Sequence, residues 1–399
     1  MTHGKTQHLG VYQDGPFRLV VTEDGERLAP DPVDFPFLRF VSEVAQDFER
    51  CVVFSRVVGS DASDPSLVLP AHLRPVRLPD YGNVRRLWAV ARAATGTTRS
   101  FWRGLADVDV VWAFGPHPFE LLLVALASVR RKRVVLGVRQ DSPAYFRARL
   151  PSPRWKPVLA AVRALDGLHR LLARRLPATV VGEAAAMRYS SGKGRVLTMR
   201  PSLVQAADVV DEPQPRDWSG EIELLTVGRV DAEKNPFLLV DAVAELERLR
   251  PGRYRLRWVG VGPLAEAVGA RVAEVGLEGR FELPGYVPFG PELLALYRRA
   301  HALVHVSLTE GVPQVLVEAL ASGTPIVATD VGGIGAALEG GQAGLLVPPS
   351  DLRALVDAVL RLTDDEDLRT RLVSRGLELA RDWTLEAEAA RVAAFLHGH

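Results

Sequence analysis

Residues 35–48 are apolar at helical spacing, and the run Val52-Val-Phe-Ser behind them reads as a strand. The alternation continues with a helix over 85–105, a buried strand over 108–114, a helix through Glu120 to Val129, and a strand over 134–138. Ahead of them, residues 9–30 show short alternating segments with turns at Asp14-Gly15 and Asp24-Gly25, the pattern of hairpins. From 154 to 176 the apolar residues keep helical spacing, with Arg163, Arg170, Arg174 and Arg175 largely between them. Such a helix lies on an anionic membrane or packs against its own sheet, and the second reading is preferred. The polar, proline-containing stretch 211–220 reads as a domain boundary. A second alternating series follows, with strands over 222–227, 254–259, 280–283, 302–306, 325–328 and 344–347, and a mostly helical tail over 351–395. This rhythm predicts parallel, doubly wound sheets.

One stretch organises the second half: Ser307-Leu-Thr-Glu310-Gly311-Val312-Pro313-Gln-Val-Leu-Val-Glu318-Ala-Leu-Ala-Ser322-Gly323. It reads as a strand end, a loop and a short helix. Pro313 suits the first helical position, where its missing N–H costs nothing, and Gly323 suits the stop. Gln314, Glu318 and Ser322 recur every fourth residue as a polar stripe on an apolar rod. Glu310 and Glu318, with the free N–H groups of the helix start, can serve one polar ligand that carries a negative group. A competing reading makes Glu318 the solvent stripe of a surface helix and Glu310 a loop charge. Spacing alone leaves both open.

A second signal is Leu224-Leu-Thr-Val-Gly228-Arg229-Val-Asp-Ala-Glu-Lys234-Asn-Pro236, a strand, a glycine turn and a helix started by Asn-Pro. Ligands of parallel sheets bind at the carboxyl ends of strands. There Arg229 offers a planar fork and Lys234 a compact charge, a pair suited to a diphosphate. Two unrelated surface cations are the alternative.

The two segments together resemble the signature of the retaining nucleotide-sugar glycosyltransferases of family four, over roughly residues 221–349. The resemblance implies an α/β chain of GT-B architecture, with two Rossmann-like doubly wound domains facing a central cleft. It places an acceptor-side domain at 1–210, a donor-binding domain at 211–383, and a last helix at 384–399 crossing back. The implied activity moves a sugar from a nucleoside-diphosphate-sugar to a hydroxyl of a saccharide, a lipid-linked or a small-molecule natural-product acceptor, without metal or other cofactor. Glu318 would accept hydrogen bonds from the ribose. Glu310, with Gly311, Val312 and Pro313, would meet the donor sugar and distal phosphate. Gly228, Arg229 and Lys234 would hold the leaving diphosphate, which takes the acceptor's proton. A nucleotide-binding partner without transfer, or an epimerase of the same shape, are the rival readings.

The first half departs from that family. A Gly-Gly turn after the first strand is not found, and where many members carry a histidine after the strand at 134–138 this chain has Arg139-Gln140-Asp141. His117, in Phe114-Gly-Pro-His-Pro, is the nearest alternative, and Arg139 or Asp141 is the other candidate for the acceptor side. In the second half, Gly332-Gly333-Ile-Gly335-Ala336 stands where members usually read Gly-Gly-x-Pro-Glu. Asp107-Val-Asp109 has metal-pair spacing but precedes its strand, at the wrong sheet edge, and Gly260-Val-Gly262 is a lone, weak dinucleotide match.

Composition narrows the class. With 399 residues, 47% hydrophobic and 24% charged, the chain suits two globular domains. No apolar run is long enough to span a bilayer, and the first 15 residues lack a signal core, so a cytoplasmic protein is expected. The single cysteine, Cys51, excludes an internal disulfide. Residues 1–200 hold 30 basic and 18 acidic residues, a net of +12, and the remainder 19 and 30, a net of −11. The basic half suits an anionic acceptor or peripheral contact at the inner face of the membrane, or it compensates the acidic half. No nucleic-acid partner is expected, and oligomeric state is open.

Overall fold

The computed structural model describes residues 7–22, 25–30, 35–59, 68–82, 87–139, 142–143, 146, 155–190, 194–311 and 313–398. The chain forms two compact units, one of Met1–Pro201 with Glu388–His399, the other of Ser202–Ala387.

The first unit carries β1 (His8–Thr22), β2 (Gly25–Pro30), β3 (Arg50–Gly59), β4 (Leu73–Leu78), β5 (Val110–Gly115), β6 (Arg133–Val138), β7 (Ala178–Val181) and β8 (Val196–Met199). They order as β4-β3-β1-β5-β6-β7-β8, all parallel, with β2 antiparallel on the far end of β1. Continuous apolar burial along β5 is the mark of a strand covered on both faces. β1 corrects one expectation: it runs through Asp14-Gly15 without turning. Its register against β3 shifts between Tyr12 and Pro16, so a bulge absorbs those residues. The second signal does close a hairpin, with Thr22 opposite Gly25. β4, β7 and β8 were not legible in the sequence. β4 carries Arg74, Pro75 and Arg77 on an edge, where proline is tolerated, and β7 and β8 are four residues each.

The second unit follows its sequence pattern closely. β9 (Ile222–Val227), β10 (Tyr254–Val259), β11 (Phe281–Gly285), β12 (Ala302–His305), β13 (Ile326–Thr329) and β14 (Leu345–Val347) form one parallel sheet, ordered β11-β10-β9-β12-β13-β14. Chain order reverses between β9 and β12. Such a switch point leaves a crevice at the carboxyl ends of the two strands, where ligands of open α/β sheets bind. Trp258, fully buried on β10, donates its indole N–H to the carbonyl of Gly228 at 3.0 Å and so ties the core to that edge.

The stretch 211–220 is not a free linker. Arg216 donates to the carbonyls of Ala300 (2.7 Å), Arg298 (3.0 Å) and Gly323 (3.1 Å), and so pins the segment to the second unit. The units therefore divide between Pro201 and Ser202 rather than at 210, and again between Ala387 and Glu388 rather than at 383. At the far end, Glu388 accepts from the Arg200 N–H at 2.7 Å, and His397 stacks on Phe48 with ring centroids 4.3 Å apart.

Candidate active site

The loop after β9 is built for close approach. Gly228 sits at φ +146°, where a side chain would strain the backbone. A Cβ on Gly260 would collide with the Gly228 carbonyl, and one on Gly262 with Val230, so the β9 and β10 loops pack backbone to backbone. The Gly260-Val-Gly262 match thus serves packing. Asp231 caps the turn Ala232–Lys234 by accepting from the Glu233 N–H at 3.2 Å. Asn235 follows in the left-handed region at φ +46°, and Pro236 opens the helix Pro236–Leu249. These turns bring Arg229 and Lys234 to one sheet edge, with different surroundings. The Arg229 side chain is 64% exposed, 3.4 Å from Asp231. Lys234 is largely buried and pairs with Glu310.

Glu310 is the centre of the second loop. Its Oε1 accepts from Lys234 Nζ and, at 2.8 Å, from Ser307 Oγ, and lies 3.1 Å from His305 Nε2. Burial raises its pKa, but His305 and Lys234 outweigh burial and hold it at about 2. Glu310 is therefore an ionised carboxylate at neutral pH, not a loose surface charge. His305 and Ser307 escaped sequence reasoning as site residues because their role depends on a loop that folds back on its own strand. The backbone fixes the loop as well. Leu308 N–H donates to the Glu233 carbonyl at 2.8 Å, and Gly333 N–H to the Gly311 carbonyl at 2.9 Å. Gly332, at φ +58°, leaves room for the Glu310 carbonyl where a Cβ would collide. A Cβ on Gly335 already crowds Asp330, so this chain's departure at 332–336 is matched to its own loop.

Glu318 lies in the helix Gln314–Ala321, and both it and Ser322 are buried. The reading of a solvent stripe therefore fails. Burial raises the Glu318 pKa to about 7, against the opposing hydrogen bond that Tyr297 donates to Oε2 at 2.7 Å. Pro313 is the N-cap with extended backbone (φ −71°, ψ 133°), so the helix starts at Gln314, one residue later than expected. Gly323, at φ +60°, ends the helix as expected. Val312 lies outside the described residues.

In the first unit, His117 caps the helix Pro118–Val129, its Nδ1 accepting from the Phe119 N–H at 3.2 Å. That leaves Nε2 toward Asp14 Oδ2 (3.4 Å) and the Tyr81 hydroxyl (3.2 Å). Tyr81 in turn donates to Asp14 Oδ1 at 2.5 Å, and the Tyr12 hydroxyl lies 3.1 Å from Nδ1. Arg56 lies over the Tyr81 ring, 3.6 Å from Asp14 and 3.0 Å from Asp80. Burial lowers the His117 pKa, with Asp14 opposing and Arg56 reinforcing the shift. This cluster also sits at a switch point, since β1 lies between β3 and β5. Sequence reasoning found His117 and missed Asp14, Tyr12, Tyr81 and Arg56, which come from three other segments. Arg139 stacks its guanidinium on Phe37 at 4.3 Å, and Asp141 lies outside the described residues. Asp109, the decoy, accepts from the His8 N–H at 2.9 Å on the opposite sheet edge.

Residues 211–378 match the model of the family Glycosyl transferases group 1. The chain is 35% identical over 172 residues to D-inositol 3-phosphate glycosyltransferase of Corynebacterium glutamicum, covering 42% of this chain and 41% of that protein. It is 33% identical over 177 residues to Alpha-D-kanosaminyltransferase of Streptomyces kanamyceticus, covering 43% and 44%. It spans less than half the length of these curated relatives. Among solved structures it resembles HepE of Anabaena in complex with UDP (TM-score 0.70, 16% identity, 99% of this chain and 100% of that one). Sucrose-phosphate synthase of Thermosynechococcus elongatus is similar too (TM-score 0.68, 20% identity, 98% of each chain). At these identities the likeness shows the fold, which is GT-B. Among the described residues, no helix is long and apolar enough to cross a membrane.

Proposed function

We propose that this protein is a retaining, metal-independent glycosyltransferase that moves a sugar from a nucleoside-diphosphate-sugar to an acceptor hydroxyl. The observation that carries the reading is the Lys234–Glu310 pair at the switch point between β9 and β12, inside the segment that matches the glycosyltransferase family. Lys234 has three N–H donors. One holds Glu310, and the others remain for a diphosphate. Arg229, extended into solvent, folds onto the same phosphates, and the two cations stabilise the charge that grows on the leaving group. The leaving phosphate takes the acceptor's proton, so the first step needs no metal-bound base. Glu318 accepts from the ribose hydroxyls, and Glu310 with the Gly311–Pro313 backbone meets the sugar. His117, held by Asp14, supports the acceptor side. The acceptor is a saccharide, a lipid-linked or a small-molecule natural product. The protein works in the cytoplasm, with peripheral contact to the inner face of the membrane through its basic unit.

HepE was solved with UDP and with UDP-glucose, so uridine donors come first in the test. Thermal shift with uridine, guanosine, adenosine and cytidine diphosphates, with chelator present, is followed by transfer assays with the matching sugars. A responder at about 100 times its dissociation constant stabilises the fold by ~2.7 kcal/mol. Binding without turnover on a broad acceptor panel supports a non-transferring partner instead. No responder overturns the donor site altogether.

A further inference from the structure

We propose that the helix Lys156–Ala173, with the short helix Glu183–Tyr189 beside it, is a docking face for an anionic lipid bilayer. This deepens the peripheral contact named above by giving its surface and lipid class, and it uses no step of the transfer reaction.

The helix Lys156–Ala173 packs Leu172 and Ala173 against the core of its unit, but its fully buried face is mostly polar. The residues it buries are Asp166, His169 and Ala173. Polar partners draw that face inward: Tyr189 donates to Asp166 at 3.1 Å, and buried His169 lies 3.4 Å from buried Glu120. Two of its leucines stay outside. Leu168 is 42% and Leu171 55% exposed, and Met187 on the neighbouring helix is 73% exposed. An apolar stripe left in water has a cost that a covering surface would remove.

Charge selects what covers it. Asp166 is the one carboxylate of the helix Lys156–Ala173, and it is buried and paired with Arg170 (3.0 Å) and Arg188 (3.4 Å). Arg163, Arg174 and Arg175 are exposed along the stripe. Arg175 also lines a hollow of about 460 Å³ with Lys132, Arg133 and Arg195, which extends the cationic surface around the end of the helix. A second copy of this face would set arginine against arginine. Leucines flanked by cations match the headgroup region of an anionic membrane, with the side chains in the acyl boundary and the guanidinium groups at the phosphates. Each Lys or Arg near such a surface multiplies partitioning about fivefold.

The test is sedimentation of the full chain with vesicles of phosphatidylcholine, with and without phosphatidylglycerol, at an ionic strength of about 0.1 M. Binding is expected only to the anionic vesicles, and it is lost near 1 M salt, where screening acts within about 3 Å. Arg163→Gln/Arg174→Gln/Arg175→Gln should weaken partitioning roughly 100-fold, three fivefold factors, and Leu168→Asp/Leu171→Asp should abolish it. The arginine set removes exposed charges only, so it decides the matter even if the leucine set misfolds. Equal binding to neutral vesicles, no binding, or full retention by the arginine variant overturns the proposal. So does a lipid-free dimer that dissociates on Leu168→Asp/Leu171→Asp, which assigns the face to a second copy. Nucleotide binding and transfer measured without lipid are independent of these outcomes.

Discussion

Lys234 Nζ and Glu310 Oε1 form an ion pair across 76 residues of sequence, joining the loop after β9 to the loop after β12. The pair is largely buried and shares its carboxylate with His305 and Ser307, so both side chains are held in one geometry before any ligand arrives. Such preorganisation lowers the reorganisation cost of stabilising charge in a transition state.

Removing the lysine tests that arrangement. Lys234→Ala should cut turnover ~100- to 1,000-fold, the range for loss of one donor aimed at developing charge, with nucleotide affinity less affected. Steady-state kinetics of sugar transfer check it. Near-normal turnover in an Arg229→Ala/Lys234→Ala variant would remove both residues from the reaction.

Glu318 predicts a pH dependence. Its folded pKa of about 7 lies above the ordinary 4.5, so between those values the native state binds more protons than the unfolded chain. Stability should therefore fall as pH rises from about 4.5 to 7, by on the order of 3 kcal/mol. Ribose hydroxyls donate best to the ionised form, so nucleotide affinity should rise over pH 6–8 as the carboxylate loses its proton near pH 7. Glu318→Gln should flatten both curves in urea melts and binding isotherms. Unchanged curves would take the proton off Glu318.

Glu310 titrates at the other end of the scale. Its pKa is held at about 2 in the fold against an ordinary 4.5, so its stabilising contribution is complete above about 4.5 and lost as pH falls toward 2. His305→Ala should raise that pKa and move the acid limb of the stability profile to higher pH. Acid titration followed by circular dichroism reads the shift.

Gly332→Ala tests the backbone clamp. A left-handed alanine costs about 1–3 kcal/mol, and its methyl would press on the Glu310 carbonyl. Both a lower melting temperature and a lower turnover are expected. Loss of stability with full activity would mean that the Glu310 loop tolerates the displacement.

The unit-1 cluster separates binding from transfer. Asp14→Asn or His117→Ala should leave nucleotide diphosphate affinity unchanged, because that unit holds none of the proposed donor groups. Acceptor KM should rise or turnover fall. Removing the carboxylate also leaves Arg56 with Asp80 as its partner, at a stability cost of about 1–3 kcal/mol. Parallel donor-binding and transfer assays discriminate this from general unfolding.

The second unit was legible in the sequence because its strands are apolar and alternate regularly with helical patterns, and local pattern is enough to place such elements. Gly228, Arg229, Lys234, Glu310, Gly311 and Glu318 could be selected there because each lies within a few residues of a strand end or helix start. Their pairing could not be read. That Lys234 meets Glu310 and not Arg229, that Tyr297 caps Glu318, and that Gly332 makes room for a carbonyl all depend on which strands become neighbours. In the first unit the bulge at Asp14-Gly15 looked like a turn, because a residue pair that suits a turn also suits a bulge and only the partner strand distinguishes them. The cluster around His117 takes Tyr12 and Asp14 from β1, Arg56 from β3 and Tyr81 from the loop after β4. Sequence by itself determined which residue types stand at strand ends. Tertiary structure decided which of them touch, because hydrogen bonds and ion pairs act over a few ångströms while the order of strands in a sheet sets which distant segments come that close.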